Sequence, residues 1–245
     1  TESKTCGKPG FRELLYFLAW RDVKVKYKQA AIGVLWAVLQ PLLTMVVFSV
    51  LFGRFANMPS DNVPYPIFVY IGLLPWQYFA TVLGQSTNSI VSGSNLISKI
   101  YFPRLFMPAS TAIAALLDLF VASVMLGLMM VYYGIPVSWG ILLVPLLVLL
   151  TIMNAVGFGL WFSALNVRYR DIQYAIPFLI QIWMFATPVI YPTSLVGGQY
   201  KWLLSLNPMG GVIEAFRPAV LGHMPIPWLS LSISTSVGLL VFVGG

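Results

Sequence analysis

Charge is scarce in this 245-residue chain: Lys, Arg, Asp and Glu together make up 9% of it, against a hydrophobic share of 59%. An ordinary soluble domain carries roughly 25% charged and 45–50% apolar residues. The composition therefore excludes a water-soluble globule and points to an integral membrane protein. Histidine is nearly absent too: His223 stands alone, which leaves a histidine-based metal centre or catalytic dyad almost no material. Cys6 is the only cysteine, so no intrachain disulfide can form. The sequence contains no G-x-x-x-x-G-K-[ST] phosphate loop, so any ATP-driven work needs a second subunit. No short apolar core with a small-residue cleavage site precedes the first long apolar run, and no removable signal peptide is expected.

What is present is a series of charge-poor apolar runs near the length that crosses a bilayer. They predict six spans, at about 33–53, 67–91, 109–133, 141–165, 176–191 and 228–245, in one all-α membrane domain covering 1–245. The last run stops inside an apolar stretch, so the chain is expected to continue beyond Gly245. Pro41, Pro75, Pro145, Pro177 and Pro188 fall within or at the ends of these spans and predict kinks.

Eleven of the fourteen Lys and Arg fall before the first span or in the loops after the second and fourth. By the positive-inside rule, the N-terminus and those two loops are cytoplasmic. The net charge of +7 is thus explained by topology, without a nucleic-acid partner.

Three segments depart from a plain loop-and-span scheme. Over 10–30, Phe11, Leu14, Leu15 and Leu18 recur at helical spacing, while Arg21, Lys24 and Lys28 share another face, which predicts an amphipathic helix along the cytoplasmic membrane surface. A basic anchor that only sets topology is the plainer alternative. Residues 95–105 form a short apolar piece with Asn95 as helix cap and Pro103 as stop, needing a surface for Leu96, Ile97, Ile100, Tyr101 and Phe102. Between the fifth and sixth spans, 192–227 holds KWLLSL and GGVIEAFRPAVLG, each too short to cross, and predicts re-entrant helices. On the second of these, Glu214 and Arg217 read as an i, i+3 ion pair.

Polar groups inside apolar spans are costly and therefore informative. Gln77, Thr81, Gln85 and Asn88 form one stripe on the second span, read equally as helix contacts or as a water-facing wall. Trp36, Gln40 and Thr44 share a face of the first span; Phe178, Gln181 and Phe185 share one of the fifth, with Trp183 close by. Mixed aromatic and amide faces suit a sugar chain, since rings stack on its apolar faces and amides bond its hydroxyls. Asp118 is the one acid inside a span, and a proton relay would want further titratable partners.

Four motifs in order resemble the permease subunit of type-2 ABC exporters of cell-surface polysaccharide, the group of O-antigen, capsule and teichoic acid exporters. They are RDVKVKYKQAAIGVLWAVLQPLLTMVVFSVLFG, SKIYFPRLFMPA, NVRYRDIQYAIPFLIQIWMFATPVIYP and NPMGGVIEAFRPAVLG. The resemblance runs from about Phe11 to the end, and its one departure is the missing basic tail after the sixth span. It implies a non-enzymatic half-transporter of the bacterial cytoplasmic (inner) membrane that pairs with a second copy of itself and with two copies of an ABC ATPase, which carries ATP and Mg. The cargo it implies is a polysaccharide on polyprenyl pyrophosphate.

Carried over residue by residue, it makes Ser98, Lys99, Ile100, Tyr101, Phe102 and Arg104 the coupling helix on the ATPase, with Arg168, Tyr169, Arg170 and Asp171 as a second contact. Arg21, Lys24 and Lys28 are expected at the lipid-pyrophosphate entrance, and Asn207, Glu214 and Arg217 at an external gate. Trp36, Gln40, Phe178, Gln181, Trp183 and Phe185 are expected to line the glycan channel. No metal site is expected. An exporter of drugs or simple lipids would share the topology; a lipid-glycan-modifying enzyme or a proton-coupled flippase would need catalytic or titratable groups that are missing here.

Overall fold

The computed structural model describes residues 11–28, 33–61, 63–93, 105–197, 201–222 and 224–245. Its regular structure is helical, with no strand among the described residues. We label the α-helices α1 (Phe11–Lys28), α2 (Trp36–Phe48), α3 (Tyr65–Ser92), α4 (Phe106–Tyr132), α5 (Val144–Arg168), α6 (Ile172–Ala186), α7 (Lys201–Leu206), α8 (Gly210–Leu221) and α9 (Trp228–Gly244). A wider π-helical stretch, Ser49–Phe55, prolongs α2, and a 3-10 turn, Trp139–Leu143, leads into α5.

Four continuous helical stretches are long and apolar enough to cross a membrane: Trp36–Phe55, Tyr65–Ser92, Phe106–Tyr132 and Trp139–Arg168. The chain is accordingly an integral membrane protein. The remaining apolar helices, α6 and α9, have 15 and 17 residues. At about 1.5 Å per residue they fall short of the roughly 30 Å hydrocarbon layer. The stretch expected at 176–191 is shifted: its helix begins at Ile172 and ends at Ala186. Pro188 explains the end, because a residue before proline is pushed out of the helical region, and Thr187 is extended with φ −107° and ψ 140°.

The centre of the bundle is α3. Its 28 residues carry no charge and its apolar residues lie all round it, the pattern of a helix meant to be buried on every side. Phe68, Tyr70, Trp76 and Phe79 are fully buried, and the main neighbours are α5 and α4. The approach of α5 depends on Gly159, where an added Cβ would meet the Ser86 side chain at 2.8 Å. Ser86 Oγ in turn shares a 2.7 Å hydrogen bond with Thr111 Oγ1 of α4. The three longest helices are thus pinned at one level.

Helices α1 and α8 also find their places through their sequence. α1 runs beside the first half of α4 and in the same direction: Leu18 packs with Met107, Ser110 Oγ donates to Asp22 Oδ2 at 2.8 Å, and Lys26 pairs with Asp118. These α1 residues stand at i, i+4 and i+8, a face different from that of Arg21, Lys24 and Lys28. Tyr16, Phe17 and Trp20 stay exposed.

Within 192–227, α8 is buried along its whole length except at Glu214, packed among α3, α5 and α9. Its backbone is therefore enclosed in protein, as a short helix at membrane depth requires. Gly222 closes it in the left-handed conformation (φ 72°), where the amide N donates to Pro218 O at 2.9 Å.

Candidate functional site

The described residues offer three candidate surfaces, and the expected site residues distribute among them. The first is a crevice between α1, α2, α3 and α4. A cavity of about 270 Å3 is lined there by Lys26, Tyr27, Trp36, Gln40, Gln77, Thr81 and Asp118, and one of about 410 Å3 beside it by Arg21, Lys26 and Gln85. Gln77, Thr81 and Gln85 of the α3 stripe therefore face polar and aromatic side chains, whereas Asn88 meets Asn166 of α5. Trp36 and Gln40 lie on this wall, with Trp36 half exposed.

Asp118 is held from α1 by two donors, the Lys26 ammonium and the Tyr27 hydroxyl. Partial burial raises the Tyr27 phenol above its usual range, and the bond to the Asp118 carboxylate adds to the shift. A carboxylate halfway along an apolar helix thus has its counter-charge supplied by a helix distant in sequence. Sequence reasoning missed Lys26 and Tyr27; the signal was the Leu18, Asp22 and Lys26 face of α1.

Of the other expected entrance residues, Arg21 forms a 2.8 Å ion pair with Asp22, Lys24 lies 5.7 Å from the centre of the Trp20 ring, and Lys28 is exposed.

The second surface is α6. Phe178, Gln181 and Phe185 form one exposed face with Ile182 and Tyr174 beside it. Trp183 does not join them. It stands edge-on to Phe158, Phe79 and Trp76 at centroid distances of 4.9, 5.1 and 6.5 Å, and its Nε1 donates to Asn207 Oδ1 at 3.1 Å. A shift of two residues from Gln181 turns a helical side chain by about 200°, which carries Trp183 to the opposite side.

The third surface lies at the end of the bundle away from the α3–α4 and α5–α6 connections. A cavity of about 790 Å3 is bounded there by the α2–α3, α4–α5 and α6–α7 connections and by α8. Glu214 and Arg217 line it; Asn207 does not. Asn207 instead ties α6 to the α7–α8 corner, its Nδ2 donating to Thr187 Oγ1 at 2.8 Å and its Oδ1 accepting from Trp183 and from Met209 N.

The ion pair expected between Glu214 and Arg217 is replaced by other partners. Arg217 Nη2 donates to the carbonyls of Pro188 and Val189 at 2.7 and 2.9 Å, and the guanidinium sits 3.8 Å from the centre of the Phe68 ring. Glu214 Oε1 accepts from Thr193 Oγ1 at 2.7 Å. Carbonyls left free where α6 ends draw Arg217 inward, away from its helical neighbour. Arg217 is only 3% exposed, and burial lowers its pKa to about 10 against the pull of the Asp61 and Glu214 charges. It stays charged at neutral pH.

Near the opposite end, Asn166 joins three helices. Its Nδ2 donates to Thr87 O at 3.0 Å and Asn88 Oδ1 at 3.3 Å, and its Oδ1 accepts from Gln173 N at 3.2 Å. Next to it Arg168, Tyr169, Arg170 and Asp171 are all exposed, with the Arg168 guanidinium 5.3 Å from the Tyr169 ring centre. Ser98, Lys99, Ile100, Tyr101, Phe102 and Arg104 lie outside the described residues. No group of three or more His, Cys, Asp or Glu suited to a metal occurs among the described residues.

The described residues thus form an all-helical membrane bundle with polar cavities between its helices. The family model described as ABC-2 type transporter matches residues 13–221, and the chain belongs to that family. Among similar proteins, the O-antigen export system permease protein RfbA of Myxococcus xanthus is 33% identical over 87% of this chain and 82% of its own length. A Klebsiella pneumoniae protein of the same name is 28% identical over 94% of this chain and 91% of its own. The polysialic acid transport protein KpsM of Escherichia coli is 27% identical over 82% and 78%.

Proposed function

We propose that this chain is the membrane permease of an ATP-driven exporter that carries a polyprenyl-pyrophosphate-linked, O-antigen-like polysaccharide from the cytoplasmic to the outer face of the bacterial inner membrane. The observation that carries this reading is likeness at nearly full length to permeases named for O-antigen and polysialic acid. The chain acts as one membrane domain with six crossings, in which α6 and α9 complete the four long spans. It pairs with a second copy of itself and with two copies of an ABC ATPase, which holds ATP and Mg. The N-terminus is cytoplasmic, so the connections near 93–105 and 169–171 face the ATPase and the cavity beside Arg217 faces outward.

Each surface has a part in this mechanism. Residues Ser98 to Arg104 and the exposed Arg168 to Asp171 receive the push of ATPase closure. Arg21, Lys24 and Lys28 attract the lipid pyrophosphate by long-range attraction of opposite charge. Trp36 and Gln40, with the exposed Phe178, Gln181 and Phe185, line the sugar path. That path is bounded by two copies, because α2 and α6 lie on different sides of α3 in one chain. Trp183 and Asn207 support the wall from behind. Affinity purification tests the assembly: a subunit with a phosphate loop should come down with this chain and hydrolyse ATP. Purification of the chain alone from cells that express the whole export cluster would contradict it.

A further inference from the structure

We propose that the cavity beside Arg217 is a binding site for a neutral or amino-bearing sugar unit of the emerging polymer. The proposal rests on the reading of the chain as a polysaccharide permease and adds a specific site to it.

The cavity, at about 790 Å3, has the size of a small-ligand site. Two carboxylates open into it, each braced on one oxygen: Glu214 Oε1 by Thr193 Oγ1 at 2.7 Å, and Asp61 Oδ1 by Ser194 Oγ at 3.5 Å. Among the described residues no hydrogen bond reaches the second oxygen of either group. A carboxylate oxygen accepts strong charge-assisted bonds, and a vicinal diol presents two donors to it.

Arg217 forms part of the floor with its Nη2 committed to the two backbone carbonyls, while its buried Nε has no hydrogen-bond partner among the described residues. Much of the remaining wall is proline, including Pro64, Pro136, Pro218 and Pro225. Fixed rings of this kind offer apolar surface to the C–H face of a pyranose at little cost in ordering.

The charge balance selects among ligands. Two carboxylates against one guanidinium leave the lining net negative, which disfavours phosphate and uronate groups. An acyl chain would leave the carboxylates dry and unpaired. A bare cation would sit beside the guanidinium. A sugar rich in hydroxyls satisfies the acceptors and covers the prolines together. Held after it leaves the path, such a unit would oppose backsliding of the chain.

The test uses the full-length permease purified with its ATPase. The probe is the surface polysaccharide of the producing cells, freed of lipid by mild acid and sized to short oligosaccharides, with binding read by titration calorimetry. Wild-type protein should bind, and the double variant Asp61→Asn, Glu214→Gln should bind at least tenfold more weakly. Asp61 has φ 52°, a conformation Asn adopts readily, so its replacement changes charge without straining the turn.

Should the double variant fail to fold, Ser194→Trp decides: it fills the exposed rim, retains both carboxylates at the loss of the Ser194 bond to Asp61, and should abolish binding. Inorganic pyrophosphate should not compete. No binding by the wild type, equal binding by the variants, or competition by pyrophosphate would each overturn the site. Surface polymer that persists in cells lacking this gene would overturn the permease reading instead.

Discussion

Lys26, near the end of α1, places its ammonium on the carboxylate of Asp118 halfway along α4. The pair joins the one helix rich in positive charge to a span that carries a single acid. Its two members are not equivalent. Lysine has a long stem that can carry its charge to water, whereas Asp118 on a span has no such route.

Loss of Lys26 should therefore cost more than loss of its partner. Lys26→Ala leaves the Asp118 carboxylate with the Tyr27 hydroxyl as its remaining donor among the described residues, a loss below the about 2.5–3.5 kcal/mol that insertion scales give an unpaired acid at mid-span. Asp118→Asn removes the charge and leaves Lys26 free to turn outward, at about 1 kcal/mol or less. The double variant should recover most of the loss caused by Lys26→Ala. Melting temperatures in one detergent check the order.

Trp183 should behave as a core residue. Three aromatic contacts and a bond to Asn207 predict that Trp183→Ala destabilises by about 3–5 kcal/mol. The exposed Phe178 and Phe185 should tolerate Ala with a loss within about 0.5 kcal/mol, while export falls. Comparing melting temperature with surface glycan in the three variants separates support of the wall from the wall itself.

Asn166 should couple the two connections expected to face the ATPase. Asn166→Ala leaves Gln173 N short of a partner, at about 1–3 kcal/mol, and removes the bonds to Thr87 O and Asn88 Oδ1 that tie α5 to α3. Gln173 lies in the first turn of the helix that follows Arg168 to Asp171, and Thr87 lies in the last turns of α3. Asn166→Ala is expected to let ATP hydrolysis proceed with less polymer moved per ATP. An unchanged ratio of export to hydrolysis would leave Asn166 a purely structural residue.

Gly159 should admit no larger side chain. A Val there drives into Ser86 and separates α5 from α3, costing about 1–3 kcal/mol for the overpacking alone. Gly127 has nothing near its Cβ position, so Gly127→Ala should be neutral or slightly stabilising as a helix substitution. Yield and melting temperature of the two variants form the check.

The helices were legible in the sequence wherever a long apolar run carried the signal, uncharged in α3 and interrupted only by Asp118 in α4. The ends of α6 were less so: its first turn is polar, in Gln173 and Tyr174, and its last is cut by Pro188. The amide stripe of α3 was readable because its period is that of a helix. The partners of Asp118 and Arg217 were not, since each pairs with groups 28 or more positions away, and helical spacing speaks only of near neighbours. The i, i+3 rule suggested Glu214 for Arg217, yet two carbonyls released by Pro188 bind it more directly. Trp183, expected on the channel wall close to Phe178, Gln181 and Phe185, lies on another side of α6 because each helical residue turns by about 100°.

The most direct measurement of the central claim is the fate of the polysaccharide in cells that lack this gene. Surface glycan and membrane-bound polymer would be quantified with and without the gene restored. Surface polymer should be lost and lipid-linked polymer should accumulate on the cytoplasmic side, both reversed by the wild-type gene. Full surface display without the gene, and no polymer retained inside, would contradict it.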